Sequence, residues 1–377
     1  MTPAPDITFF QDLLTEPVNR LAEDARAQGR RAVGVTCSYA PAPLLSVRGL
    51  FPVRMRAPGG AGTPMADTYL SSVLCPYTRN ILEIALDGLC DSLDGWVFTG
   101  SCDHLRRLYD NLEYLTKPAF NHILDLPHKT SPAAVEWFAR ELRELAEALG
   151  AHFDVDTGDD AVRAAVARHN ELLEVMRAIG EMRKKDKPPV SGTDFHTVLL
   201  AAAVSPQDMV LNQLRKYLAA LQATPDPGIS HRARVLLVGS QMDDPEYVRV
   251  IESQGALVVA DRFCTGSLPG LDPVPEQGDP IHALAEHYLR KTSCPRMMEE
   301  FDARVRDIVG AAREYAVHGV IVQAMKFCDC WGVEAAPLTR ALRDAGLPVL
   351  RLEREYALTG EGQLRTRVQA FLESMGQ

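Results

Sequence analysis

This sequence has no C-x-x-C pair among its eight cysteines, no G-x-x-x-x-G-K-[ST] segment and no apolar run approaching the length of a membrane span. Each absence removes a class of protein. Without C-x-x-C, simple dithiol exchange has no motif. Structural zinc usually takes paired ligands at C-x₂₋₄-C spacing, and the nearest pair, Cys328-Asp329-Cys330, is one residue too tight and lacks a second pair, so zinc fits poorly. Gly59-Gly60-Ala61-Gly62 follows Pro58 and lacks the lysine and helix context of a phosphate loop, so it reads as a flexible loop. The longest apolar stretches, such as Thr197 to Val204, fall far short of the ~20 residues a membrane helix needs. Long basic runs are also missing. Lys and Arg number 40 against 50 Asp and Glu, for a net charge of −10, which argues against nucleic acid as a partner and favours solubility. Met1 to Phe10 has no basic segment leading into an apolar core, so no secretory signal is expected. A cytoplasmic setting follows as an expectation, and there cysteines serve as metal ligands or buried thiols rather than as disulfides.

What the chain does have is ordinary globular composition, 46% apolar and 24% charged over 377 residues, enough for two domains each with its own core. Asp6 to Arg30 carries Phe9, Leu13, Leu14, Val18 and Leu21 at helical spacing and predicts one amphipathic helix ending near Gly29. Short apolar runs at Arg31 to Thr36, Gly95 to Gly100 and Phe120 to Leu126 predict buried parallel strands, with helices around Thr78 to Leu89 and His104 to Leu115 between and after them. Ser131 to about Ala223 has helical periodicity and no strand pattern, with breaks at Lys187-Pro188-Pro189 and at a Pro225-Asp226-Pro227-Gly228 turn. Strands return at Ala233 to Gly239, Ala256 to Ala260, Gly319 to Ala324 and Pro348 to Leu352. The expected fold class is α/β: two small doubly wound, Rossmann-like parallel-sheet domains, residues 1–130 and 229–377, with a helical insert over 131–228. Ligands of such sheets bind beyond the carboxyl ends of the strands.

The cysteines fall at those ends, in two ordered triplets. Cys37 follows a strand, Cys75 precedes Pro76, and Cys102 follows a strand and precedes Asp103; Cys264 follows a strand, Cys294 precedes Pro295, and Cys328 ends a strand and precedes Asp329. The gaps are 38 and 27 residues in the first half, 30 and 34 in the second; Cys90 and Cys330 are left over. Any one buried cysteine is as readily a small hydrophobe as a ligand. Two matching triplets favour thiolate ligation, and three-sulfur ligation of an iron-sulfur cubane leaves one iron open for a bridging sulfide, solvent or substrate. A strand running through cysteine into a helix sets the sulfur near helix N-terminal N–H groups, which favour the thiolate. Asp103 reads as an ordinary N-cap.

The segments Gly34-Val35-Thr36-Cys37-Ser38-Tyr39-Ala40-Pro41, Ser101-Cys102-Asp103-His104-Leu105-Arg106-Arg107-Leu108-Tyr109-Asp110, Leu126-Pro127-His128-Lys129 and Lys326-Phe327-Cys328-Asp329 resemble the 2-hydroxyacyl-CoA dehydratase and benzoyl-CoA reductase superfamily along nearly the whole chain. The resemblance implies an oxygen-sensitive iron-sulfur enzyme in the cleft between its domains, fed with low-potential electrons by a separate ATP-hydrolysing activator, itself a dimer with a 4Fe-4S cluster. Within the superfamily, dehydratase and arene reductase subunits pair as heterodimers with one three-cysteine cubane each, whereas double-cubane cluster proteins are homodimers with two bridged cubanes per chain. Three and three in one chain favours the second layout, with Cys37, Cys75, Cys102, Cys264, Cys294 and Cys328 as ligands. His104, Lys326 and Tyr39 are candidate catalytic residues, with a solvated first-turn histidine and a solvated strand-end lysine as the plain alternatives for the first two. The expected substrate is small or unsaturated, an acyl-CoA among the candidates. A heterodimeric dehydratase or reductase subunit is the second reading, and a two-domain binding protein without a cluster is the third.

Overall fold

The structure is a computed structural model that describes residues 6–60, 62–224, 228–267, 270–291 and 294–376. Ala61, the Met1–Pro5 start and the Pro225–Pro227 part of the expected turn lie outside the described residues. Two four-stranded, all-parallel sheets organise the chain. The first holds β1 (Arg31–Val35), β2 (Leu50–Arg54), β3 (Gly95–Thr99) and β4 (Asn121–Leu124) in the order β2-β1-β3-β4. The second holds β5 (Ala233–Gly239), β6 (Ala256–Phe263), β7 (Gly319–Met325) and β8 (Val349–Arg354) in the order β6-β5-β7-β8, the same pattern again. β1, β3, β5 and β7 each lie between two partners. Three of these four are continuous buried runs, as expected where helices cover both faces, and β1 is buried after Arg31.

Two expectations need correction. The leading segment is two short helices, Thr8–Asp12 and Arg20–Ala27, not one. Pro17 interrupts the run, and Asn19 starts the second helix by accepting the Leu21 and Ala22 N–H groups at 3.0 and 3.1 Å. The strand β2 was missed because Pro52 sits inside it. It is an edge strand, paired only to β1 (Val33↔Pro52), and there the missing N–H of proline disrupts no second ladder.

Residues 131–224 form four α-helices, Pro132–Phe153, Asp159–Glu181, Gly192–Ala203 and Gln207–Ala223, with no strand among the described residues. They do not stand apart. One apolar core joins Val33, Val97 and Leu124 of the first sheet to Phe138, Leu142 and Val166 of these helices and to Leu284 and Tyr288 of the later helix Pro280–Lys291. A second reaches from Phe51 and Phe98 through Phe195 and Val198 to Met325 at the end of β7. The helices therefore complete the cover of the first sheet and pack against the second. This fixes the two sets of strand ends relative to each other.

Candidate iron-sulfur centre

Seven of the eight cysteines meet where the carboxyl ends of the two sheets face each other. Cys37 lies two residues beyond β1, and Cys264 directly follows β6. Cys75 caps the helix Pro76–Leu86, Cys102 caps Asp103–Leu115 and Cys328 caps Asp329–Asp344. Asp103 is thus the first residue of its helix rather than the cap. Cys328 is not the last strand residue either: Lys326 and Phe327 intervene, Phe327 in the left-handed region at φ 58°. The thiols act on one another electrically. Burial raises Cys102, and then Cys330, Cys75 and Cys37 raise it further; burial raises Cys328, followed by Cys75, Cys330 and Cys264. Cys264 is pushed up to about 12 by burial, with smaller contributions from Cys37 and Cys330, and Cys75 to about 11, mainly by burial. Cys294 and Cys330 act most strongly on each other, which raises Cys294 and lowers Cys330. Sulfur from both halves is therefore gathered into one connected set.

Cys330 belongs to this set although its position in the chain left it over. Its signal is the Cys328-Asp329-Cys330 spacing at the first turn of a helix, too tight for a zinc pair but placing both sulfurs at one helix N-terminus. Cys90 is the true outlier, a buried core thiol in the first sheet's apolar cluster, raised by burial and then by Asp91.

Charged and polar groups hold the sulfur-bearing loops. His104, 7% exposed rather than solvated, accepts the Cys75 backbone N–H on Nδ1 at 3.1 Å, so its proton sits on Nε2, 3.1 Å from the Asp329 carboxylate in the other half. Arg296 donates to the backbone carbonyls of Ser101, at 3.0 Å, and Leu126, tying the Cys294 loop to the first sheet. Buried Arg304 donates to the Cys294 and Met297 carbonyls at 3.1 and 2.8 Å and pairs with Glu334. Ser38 Oγ donates to the Cys264 carbonyl. Tyr39, 1% exposed, has its phenol raised by burial first and then by Cys294, Cys37 and Cys264, so it stays a neutral donor beside the thiols. Lys326 is placed differently. Its ammonium pairs with Glu355 at 2.6 Å on a surface where both side chains are 42% exposed, and this carboxylate raises its pKa. That is the arrangement of a solvated strand-end lysine.

Among the described residues no three Cys, His, Asp or Glu side chains could together hold a metal ion. Cluster thiolates bind different irons, so they need not converge on one point. The donor chemistry fits such a group. Deprotonating several half-buried thiols side by side is unfavourable unless a cationic core offsets the charge. The buried donors Arg296 Nε and Thr36 Oγ1, the latter beside Cys37, have no acceptor in the protein, and the sulfides and thiolates of a cluster are acceptors. The first-turn N–H groups of Tyr77 and Thr78 lower Cys75, that of Leu105 lowers Cys102 and that of Trp331 lowers Cys328, in each case against the larger effect of burial.

Comparison with known proteins follows the same outline. A candidate dehydratase subunit of Escherichia coli K12, YjiM, is 26% identical over 93% of both chains. The beta subunit of (R)-2-hydroxyglutaryl-CoA dehydratase from Acidaminococcus fermentans is 25% identical over 98% of both. One of the subunits of benzoyl-CoA reductase from Thauera aromatica is 24% identical over 80% of this chain and 79% of its own. No helix among the described residues is long and apolar enough to cross a membrane. Residues 37–375, from the first cysteine of the set to the last helix, match the family model, and the chain belongs to the 2-hydroxyglutaryl-CoA dehydratase D-component family.

Proposed function

We propose that this chain is an iron-sulfur oxidoreductase in which Cys37, Cys75, Cys102, Cys264, Cys294 and Cys328 hold a double cubane between the two sheets, with Cys330 as a seventh sulfur at its edge. The observation that carries the reading is the single set of interacting thiols drawn from both halves, more than the three that one cubane takes. Such a group supplies low-potential electron storage with an incompletely ligated iron. The chain's own residues give it a fixed setting. His104 anchors the Cys75 backbone and locks it to Asp329 across the interface. Arg304 and Arg296 hold the Cys294 loop in place, and Arg296 brings a buried positive charge near Cys330, Cys37 and Cys294. Tyr39 offers a neutral hydroxyl beside the thiols, the best-placed proton donor of the three residues singled out from sequence, while Lys326 drops out. Electrons would come from a separate ATP-hydrolysing activator carrying a 4Fe-4S cluster, the protein would act as a homodimer under anaerobic conditions in the cytoplasm, and the substrate would be small or unsaturated.

Iron and sulfide analysis of anaerobically purified protein tests this. About eight irons per chain is the expected result for two cubanes. About four, together with a dissimilar co-purifying polypeptide, would instead support a heterodimeric acyl-CoA dehydratase or aryl-CoA reductase subunit, the reading favoured by relatives whose names make them single subunits of larger dehydratase and reductase enzymes. Absence of iron under these conditions would leave a two-domain binding protein.

A further inference from the structure

Trp331, 1% exposed, is the bulkiest of the fully buried side chains and stands in the first turn of the helix Asp329–Asp344. Its ring packs with Val238 of β5, Ala260 of β6 and Val322 of β7, and the half-buried Cys264 and Cys328 lie against the same apolar group. The ring is thus wedged between a helix and the sheet beneath it. Its indole Nε1–H is buried and makes no hydrogen bond of ordinary length. A buried tryptophan N–H normally has a partner. The group it faces is the Cys264 sulfur: the Trp331 side chain, acting as a donor, lowers that thiol's pKa against the larger effect of burial. A neutral thiol is a weak acceptor, whereas a thiolate is a strong one that satisfies the N–H. The first half has no such donor at the equivalent position. Cys102 and Cys328 cap matching helices, and each receives the backbone N–H of the residue three places on, Leu105 in one case and Trp331 in the other. Leucine brings that N–H alone. Tryptophan brings a second, directed at a different cysteine.

We propose that Trp331 tunes the cluster: its indole N–H donates to the Cys264 thiolate, and the iron bound by Cys264 is therefore the end of the cluster where the first electron settles. The inference rests on the iron-sulfur reading above. Reduction adds negative charge that spreads onto the ligating sulfurs, so a donor held against one of them stabilises the reduced state more than the oxidised one and raises the potential there. Packing fixes the ring, so the donor needs no rearrangement when the charge arrives. One electron enters from the low-potential donor, no covalent bond forms or breaks, and the indole proton stays on its nitrogen. Trp331 acts only through Cys264, which makes it a positioning residue rather than a catalytic one.

The test is a potentiometric titration of anaerobically purified full-length protein of measured iron content, with a europium(II) chelate as reductant and visible absorbance and EPR as readouts. Trp331→Phe keeps an aromatic ring in the core but removes the N–H. At unchanged iron content its first one-electron midpoint should become more negative by about tenfold in the reduction equilibrium, which is about 59 mV for one electron. Trp96→Phe, near the amino end of β3, should leave the midpoint where it is. A second measurement needs no core substitution. Tryptophan carrying 15N at the indole nitrogen is incorporated into the parent protein, and pulsed EPR of the one-electron-reduced state should show a 15N coupling that persists in Trp96→Phe. A midpoint that stays put in iron-replete Trp331→Phe overturns the inference, as does a one-electron-reduced parent protein without the 15N coupling. Should Trp331→Phe lose its iron or fail to fold, the labelled parent protein decides alone. Parent protein that purifies without iron sinks the cluster reading itself, whereas iron-replete parent protein that lacks the coupling sinks this inference alone.

Discussion

The two sheets share one strand order, yet they present their cysteines differently. Cys102 after β3 and Cys328 after β7 are true counterparts, each capping the helix that follows the third strand of its sheet. Cys75 and Cys294 also correspond, each followed by proline in the connection between the second and third strands. The first pair breaks the pattern. Cys37 follows the central strand β1, whereas Cys264 follows the edge strand β6. At the end of the central strand β5 stands Gly239, where a Cβ would come within 1.8 Å of the Gln323 carbonyl oxygen, and Cys264 Sγ lies 4.0 Å from the Gly239 carbonyl oxygen. Two residues beyond β5, where Cys37 stands beyond β1, the second half has Gln241, and its sulfur comes instead from the neighbouring strand. Equal order along the chain is therefore not equal position in the fold.

The sharpest way to break this comparison is to remove the true counterparts one at a time. Cys102→Ala and Cys328→Ala are each expected to abolish most of the visible absorbance and bound iron of anaerobic protein, to similar extents, while Cys90→Ala leaves both intact. Strong loss in only one of the first two would deny the equivalence, and loss in neither would remove the cluster altogether.

The halves also anchor their second cysteine by different means, a neutral histidine on one side and a buried ion pair on the other. Arg304→Ala strands Glu334 and releases two carbonyls, so it should cost ~3–5 kcal/mol in chemical denaturation. His104→Ala removes one acceptor from the Cys75 N–H and one exposed-side contact to Asp329, and ~1–3 kcal/mol is expected. If the histidine variant proved the more destabilised, the ion pair would not be what holds the Cys294 loop.

A third difference concerns acid. His196, 2% exposed and packed against Phe263 at the end of β6, donates Nε2–H to the Met242 carbonyl at 2.9 Å, and burial above all lowers its pKa to about 4. The folded protein thus resists a proton that the unfolded chain accepts near pH 6.5. The resulting stability is fully present above that pH and is lost as pH falls through 6.5 toward 4, by ~3 kcal/mol in all. Urea midpoints at pH 7.0 and 4.5 should show most of this loss in the parent protein and much less of it in His196→Gln. An equal loss in both would place the acid sensitivity elsewhere.

Much of the fold was legible because buried parallel strands write themselves as short apolar runs: β5 was bounded residue for residue, and β1, β3, β4, β6, β7 and β8 to within a few. What escaped did so for physical reasons. Proline inside β2 looks like a break until the strand is known to lie at an edge, and a helical period through Pro17 looks continuous until Asn19 is seen capping a second helix. Six of the seven thiols in the set could be named from order and flanking residues, but Cys330 could not, since nothing local distinguishes it from a spare. The arginines that hold the loops, Arg296 and Arg304, carry no motif.

By itself the sequence determined two parallel sheets, a helical stretch between them and sulfur at the ends of strands, because periodicity, β-branching and strand-to-helix turns are local properties of the chain. Only the tertiary structure decided that the two sulfur groups form one set, that His104 spans the interface while Lys326 faces water, and that the Trp331 ring packs beside Cys264. Those outcomes depend on which distant surfaces bury each other, and that is set by packing between elements rather than by any one of them.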